Sequence, residues 1–123
     1  MTGSAKLADI LLVEDNDDDV YLTRMAFEDS AFDSAIHVVN DGEKALDFLY
    51  RRGDYSNCPV PDLVLLDLNL PKLNGIQILE TLKSDETLSV IPVVMLTSSK
   101  AERDVLESYR HHASGYVSKP SEF

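Results

Sequence analysis

Basic residues are scarce in this chain: 11 Lys and Arg stand against 22 Asp and Glu, a formal net charge of -11. Such a chain is repelled by nucleic acid and by anionic lipid, which leaves proteins and cations as its expected partners. Cysteine is almost absent. Cys58 stands alone, which excludes an internal disulfide and points to a reducing compartment, the cytoplasm. No apolar run approaches the roughly 20 residues that a membrane span needs. The start, Met1-Thr2-Gly3-Ser4-Ala5-Lys6, has a positive charge but no extended apolar stretch, so it does not read as a secretory signal. There are no internal repeats and no low-complexity linker, and only the stretch from Arg51 to Pro61 is rich in turn formers. His111 and His112 have no neighbours at metal-ligand spacing, which argues against a zinc site.

What is present is a set of short apolar runs, each followed by a polar residue. Glu14 and Asp15 follow Ile10-Leu11-Leu12-Val13, Asp67 follows Leu63-Val64-Leu65-Leu66, Thr97 follows Val93-Val94-Met95-Leu96, and Lys119 follows Gly115-Tyr116-Val117-Ser118. The runs do not alternate with polar residues, which suits strands buried on both faces of a parallel sheet. A further run, Ile36-His37-Val38-Val39, completes the series. Between the runs lie segments with helical spacing: Val20, Met25 and Phe27 after the Asp17-Asp18-Asp19 cap region, Ala45, Leu46, Leu49 and Tyr50 after Asn40-Asp41-Gly42, Ile76, Leu79 and Leu82 after Asn74-Gly75, and Val105, Leu106 and Tyr109 after Ser98-Ser99. Acidic or hydroxyl residues open them, as helix N-termini favour. The alternation predicts a doubly wound α/β fold with right-handed crossovers and helices on both faces.

With 123 residues, 44% of them hydrophobic, the chain fits one domain, expected over residues 9–123 after a flexible lead-in at 1–8. Too few residues follow Lys119-Pro120 to build a last helix, so that helix is expected to be absent or truncated. Apolar surface around Tyr109 to Lys119 would then be covered by a second copy of the chain or by a continuation of it.

In open parallel sheets ligands bind at the carboxyl edge, where all these polar residues would gather. Three carboxylates, a hydroxyl and an ammonium suit one divalent cation and one phosphoryl group. Asp67 is the expected centre, because a strand-end carboxylate can attack phosphorus and form an aspartyl phosphate. Glu14 and Asp15 beside it invite a hard cation such as Mg²⁺, with the Asn69 carbonyl as a further oxygen. Asp17, Asp18 and Asp19 read instead as solvated charge at a helix N-terminus. Lys119 is a compact point charge for a carboxylate or a phosphate, and its bond to Pro120 is a candidate for the cis form. Thr97 can hydrogen-bond a phosphoryl oxygen, or cap a helix. Pro71 stiffens the loop after Asp67, and Gly75 permits either a positive φ or a close approach.

Taken together, Val13-Glu14-Asp15-Asn16, Leu65-Leu66-Asp67-Leu68-Asn69-Leu70-Pro71, Leu96-Thr97-Ser98 and Ser118-Lys119-Pro120 resemble the receiver domain of two-component response regulators, from about Ile10 to Pro120. The resemblance implies a flavodoxin-like five-stranded parallel sheet of order 2-1-3-4-5. It implies that Asp67 accepts phosphate from a histidine kinase, that Glu14, Asp15, Asp67 and the Asn69 carbonyl hold Mg²⁺, and that Thr97 and Lys119 contact the phosphate. Tyr116 would be the aromatic that turns inward as Thr97 shifts. Glu14 stands where aspartate is common, and Asn74 where aspartate is frequent. The stretch Phe48 to Leu70, with Arg52-Gly53-Asp54-Tyr55 and Pro59-Val60-Pro61-Asp62, is similar to small receivers paired with phytochrome-type kinases. With no output segment, the signal would leave by contact with a downstream protein or a phosphotransfer protein.

Other readings fit less well. A haloacid-dehalogenase-type phosphatase needs a second acid two residues after its nucleophile, where this chain has Asn69, and its nucleophile follows the first strand. A flavodoxin-type phosphate loop needs small hydroxyl and glycine residues after the first strand, where this chain has carboxylates. A receiver-like adaptor that is never phosphorylated stays open, although the intact set Asp15, Asp67 and Lys119 argues against it.

Overall fold

In the computed structural model, the described residues are 7–29, 33–68, 70, 72–97 and 115–119, with backbone alone for 116–118. The elements run β1 (Ala8–Val13), α1 (Asp17–Glu28), β2 (Ser34–Val39), α2 (Gly42–Leu49), β3 (Leu63–Asp67), α3 (Gly75–Ser84), β4 (Val93–Thr97) and β5 (Gly115–Ser118). Short 3-10 turns at Gly53–Tyr55 and Leu88–Val90 lead into β3 and β4. The strands form one sheet of order β2-β1-β3-β4-β5, with every pairing parallel. This is the doubly wound arrangement that the strand runs predict. The expected helix around Val105 to Tyr109, the chain end after Lys119 and the Lys119-Pro120 bond lie outside the described residues.

Successive strand residues point to opposite faces, which divides the core in two. Leu11, Val13, Val64, Leu66, Val93 and Met95 pack with Ala45, Phe48 and Leu49 of α2 and with Ile78, Leu79 and Leu82 of α3. Ile10, Leu12, Leu65 and Leu96 face the other way, against Val20 and Phe27 of α1. Because both faces are covered, β3 and β4 carry no polar residue before their last positions, Asp67 and Thr97, whereas Asp9 near the start of β1 and His37 of the edge strand β2 pair with each other at 3.1 Å.

Each described α-helix starts with a side-chain cap. Asn16 accepts a hydrogen bond from the Asp19 N–H at the start of α1, and Asp41 accepts one from the Lys44 N–H at the start of α2. At α3 Asn74 and Gln77 form a reciprocal capping box, each side chain bonded to the other's backbone N–H at 2.9 and 3.0 Å. Asn74 therefore does at this helix start what aspartate would do. All three caps lie at the sheet's carboxyl edge and fix how the chain leaves each strand there.

Candidate functional site

Strand register brings the edge residues together. Val13 pairs with Leu66, which sets Glu14 beside Asp67. Asp67 pairs with Leu96, which sets Thr97 one step beyond it. Thr97 pairs with Ser118, and the Lys119 N–H donates to the Thr97 carbonyl at 2.6 Å, which carries Lys119 to the same edge. Glu14, Asp67 and Thr97 are buried, while Asp15 is exposed.

Glu14, Asp15 and Asp67 each offer a carboxylate oxygen, and these oxygens lie within 4.8 Å of one another. The Lys119 ammonium stands 2.9 Å from Glu14 Oε1, 3.1 Å from Asp67 Oδ2 and 3.0 Å from Asp19 Oδ2. Glu14 Oε1 is buried and faces this ammonium. Burial pushes the Glu14 carboxyl up to about 7 and the Asp67 charge adds to this, against the lowering by Lys119 and by the Asn16 N–H. Burial alone would lower Lys119, but its bonds to Glu14 and Asp19 and the charge of Asp67 hold it above the usual lysine range. One ammonium thus offsets part of a concentrated negative charge.

The loop after Asp67 is drawn in behind it. The Gly75 N–H donates to the Leu68 carbonyl at 2.9 Å. A Cβ on Gly75 would overlap the Asp67 carbonyl oxygen and come within 2.9 Å of Leu68 Cα. Of the two reasons for glycine at this position, close approach is the one the structure displays. Lys72 has a φ of 69° and reaches Glu43 at 3.6 Å and Asp41 at 3.8 Å, which ties the loop to the start of α2.

Glu14, Asp15, Asp67, Thr97 and Lys119, singled out from sequence, share this edge. Asn69 lies outside the described residues, as does the side chain of Tyr116, whose backbone pairs with Met95. Asp19 was read as solvated helix-end charge and instead touches the site lysine. Nothing in the sequence separates Asp19 from Asp17 and Asp18, because all three sit in the first turn of α1, where a helix N-terminus favours negative charge.

A parallel α/β sheet of this order, with an acidic trio and a lysine at its carboxyl edge, defines a class, and comparison with known proteins agrees. The chain belongs to the response regulator receiver domain family, whose match covers residues 10–123. Members of this family are signalling phosphoacceptors rather than metabolic catalysts. Among its relatives, response regulator Rcp1 of Synechocystis sp. is 44% identical over 110 residues, which span 89% of this chain and 75% of Rcp1. The crystal structure of the phosphorylated cyanobacterial phytochrome response regulator RcpA has a TM-score of 0.85 at 42% identity, covering 95% of this chain and 84% of that one. The bacteriophytochrome response regulator RtBRR has a TM-score of 0.87 at 48% identity, covering 96% and 72%. An Mn²⁺-bound form of Rcp1 has a TM-score of 0.84 at 41% identity, covering 94% and 84%. The chain is therefore a receiver domain closely related to phytochrome-associated response regulators.

The residues present fit a divalent cation. The trio supplies hard oxygen ligands, as Mg²⁺ or Mn²⁺ requires, and the one ammonium beside it leaves negative charge for such an ion to offset.

Proposed function

We propose that this chain is a phosphoacceptor switch, fed in the cytoplasm by a sensor histidine kinase of the phytochrome type. An Asp67 carboxylate oxygen attacks the phosphorus of a phosphohistidine. The new O–P bond forms as the P–N bond breaks, and the imidazole nitrogen leaves with the bond's electron pair. Glu14, Asp15 and Asp67, with the Asn69 carbonyl, would hold Mg²⁺, which supplies charge neutralisation when bound. Lys119 meets the negative charge of the incoming phosphoryl oxygens, and the Thr97 hydroxyl donates a hydrogen bond to one of them. Such transfer is mostly positioning and electrostatics, which an edge of carboxylates and one ammonium can supply. Contacts made only to the phosphoryl group then favour a second arrangement of Thr97 and Tyr116 and change affinity for a downstream protein or phosphotransfer partner. A second copy of the chain is a further partner to test.

The observation that carries this reading is Lys119 Nζ at 3.1 Å from Asp67 Oδ2, with Asp67 inside the acidic trio. The names of RcpA and RtBRR support the kinase class. Incubation with acetyl phosphate and Mg²⁺, followed by intact-mass measurement, tests it. The wild type should gain one phosphoryl group and Asp67→Asn none. A wild type that gains nothing, from acetyl phosphate or from a phosphorylated kinase, would favour the unphosphorylated adaptor. A modified Asp67→Asn would place the acceptor elsewhere.

A further inference from the structure

Asp19 lies outside the trio that suits a cation, yet it touches the lysine of the site. Its backbone is fixed from two sides. Its N–H donates to Asn16 Oδ1 at 3.1 Å, and its carbonyl accepts the hydroxyl of the buried Thr23 at 2.8 Å. Asp17 and Asp18, in the same helical turn, are exposed. The Asp19 side chain is 25% exposed and is aimed at a lysine that is itself only 10% exposed. The ammonium has three hydrogens to place and stands within 3.1 Å of three carboxylates. Two of these, Glu14 and Asp67, are oxygens that a cation would also claim. An ammonium and a divalent cation compete for the same lone pairs, and only the Asp19 oxygens lie outside the contest.

We propose that Asp19 is a positioning residue for Lys119, taking up its ammonium so that Glu14 and Asp67 are released to a divalent cation while the lysine stays at the edge of the site. The proposal rests on the cation-binding reading of the trio. Without Asp19, the described partners of the ammonium are the trio's own oxygens, and an entering cation must displace it from them. Cation affinity then depends on a residue that is not a ligand, and the dependence runs through Lys119.

The test is a double-mutant cycle on the full chain, with Mg²⁺ binding measured by titration calorimetry. Asp19→Asn should weaken binding about tenfold, the scale of a lost outer-shell partner. In a Lys119→Met background the same change should cost less than about twofold, because the residue it acts through is gone. Asp19→Glu should restore most of the affinity. Asparagine at this position keeps the backbone N–H that bonds Asn16, so the helix start is preserved, and circular dichroism checks this. If Lys119→Met does not fold, Lys119→Gln takes its place in the cycle. An equal loss in both backgrounds would mean that Asp19 acts through its own charge, and would overturn the proposal, as would no loss in either. A separate readout is the ¹⁵N signal of the Lys119 ammonium in the Mg²⁺-loaded protein, which should persist in the wild type and disappear in Asp19→Asn; persistence in both counts against the tether. A wild type that binds no Mg²⁺ would instead remove the reading of the trio itself.

Discussion

Glu14 is 1% exposed and its carboxyl is pushed up to about 7, first by burial and then by the Asp67 charge. A carboxyl raised in the folded state binds its proton more tightly there than in the unfolded chain. Its contribution to stability is therefore fully present below the ordinary glutamate value of 4.5 and is lost as pH rises through about 7. Glu14→Gln cannot make this titration. Metal-free wild type should lose stability relative to Glu14→Gln between pH 5 and pH 8, as measured by urea denaturation at each end; parallel curves would contradict the raised carboxyl. Asp15→Ala separates ligand from core, because Asp15 is exposed and its loss creates no cavity. This change should weaken Mg²⁺ binding and slow phosphorylation by acetyl phosphate, while relieving repulsion within the trio, so that the metal-free protein is no less stable. An unchanged Mg²⁺ affinity by calorimetry would remove Asp15 from the ligand set.

At the scale of elements, Gly75 and Asn74 join the site to α3. Gly75→Ala drives a methyl against the Asp67 carbonyl and Leu68. Backbone atoms cannot swing aside, so the loop must move, at a cost of about 1–3 kcal/mol by analogy with overpacked cores. The displaced loop should also slow phosphorylation at saturating Mg²⁺. A variant as stable and as fast as wild type would show that the loop has slack. Asn74→Ala removes the cap and should cost about 1 kcal/mol with much less effect on the rate. These elements also show what could be read from sequence. The buried runs and the first three of their helical partners were legible because apolar patterning and burial are the same physical constraint, and the polar residue that ends β3 and β4 marks where that constraint stops. Asp67 and Lys119 could be placed together because parallel register carries strand ends to one edge. Asp19 was missed because a carboxylate in a first helical turn satisfies the helix dipole whether or not it also meets a distant lysine. Only the three-dimensional path from β5 back to α1, 100 residues apart in sequence, decides between those roles. The clamp of Lys72 on Asp41 and Glu43 was hidden for the same reason, since a positive φ at lysine has no sequence signature.

The whole molecule carries a net charge of -11, and the trio concentrates part of it in a partly buried site. Two effects of Mg²⁺ must therefore be told apart. Any salt screens the general self-repulsion of an acidic chain, whereas a ligand that binds only the folded state stabilises it by RT ln(1 + [L]/Kd), about 2.7 kcal/mol at a hundredfold excess over Kd. For a domain of this size that corresponds to a rise in Tm of roughly 10 °C. Melting wild type in MgCl₂ and in NaCl at equal ionic strength should give the larger rise in MgCl₂. Asp15→Ala should respond nearly alike to the two salts, because it keeps nearly all of the net charge and lacks one ligand. The comparison is informative because the surface charge of wild type and variant differs by a single unit, so screening alone predicts nearly the same response from both. If wild type rises equally in the two salts, the cation acts on the surface rather than at the carboxyl edge, and the trio's closeness would then reflect only the strand register that assembles it.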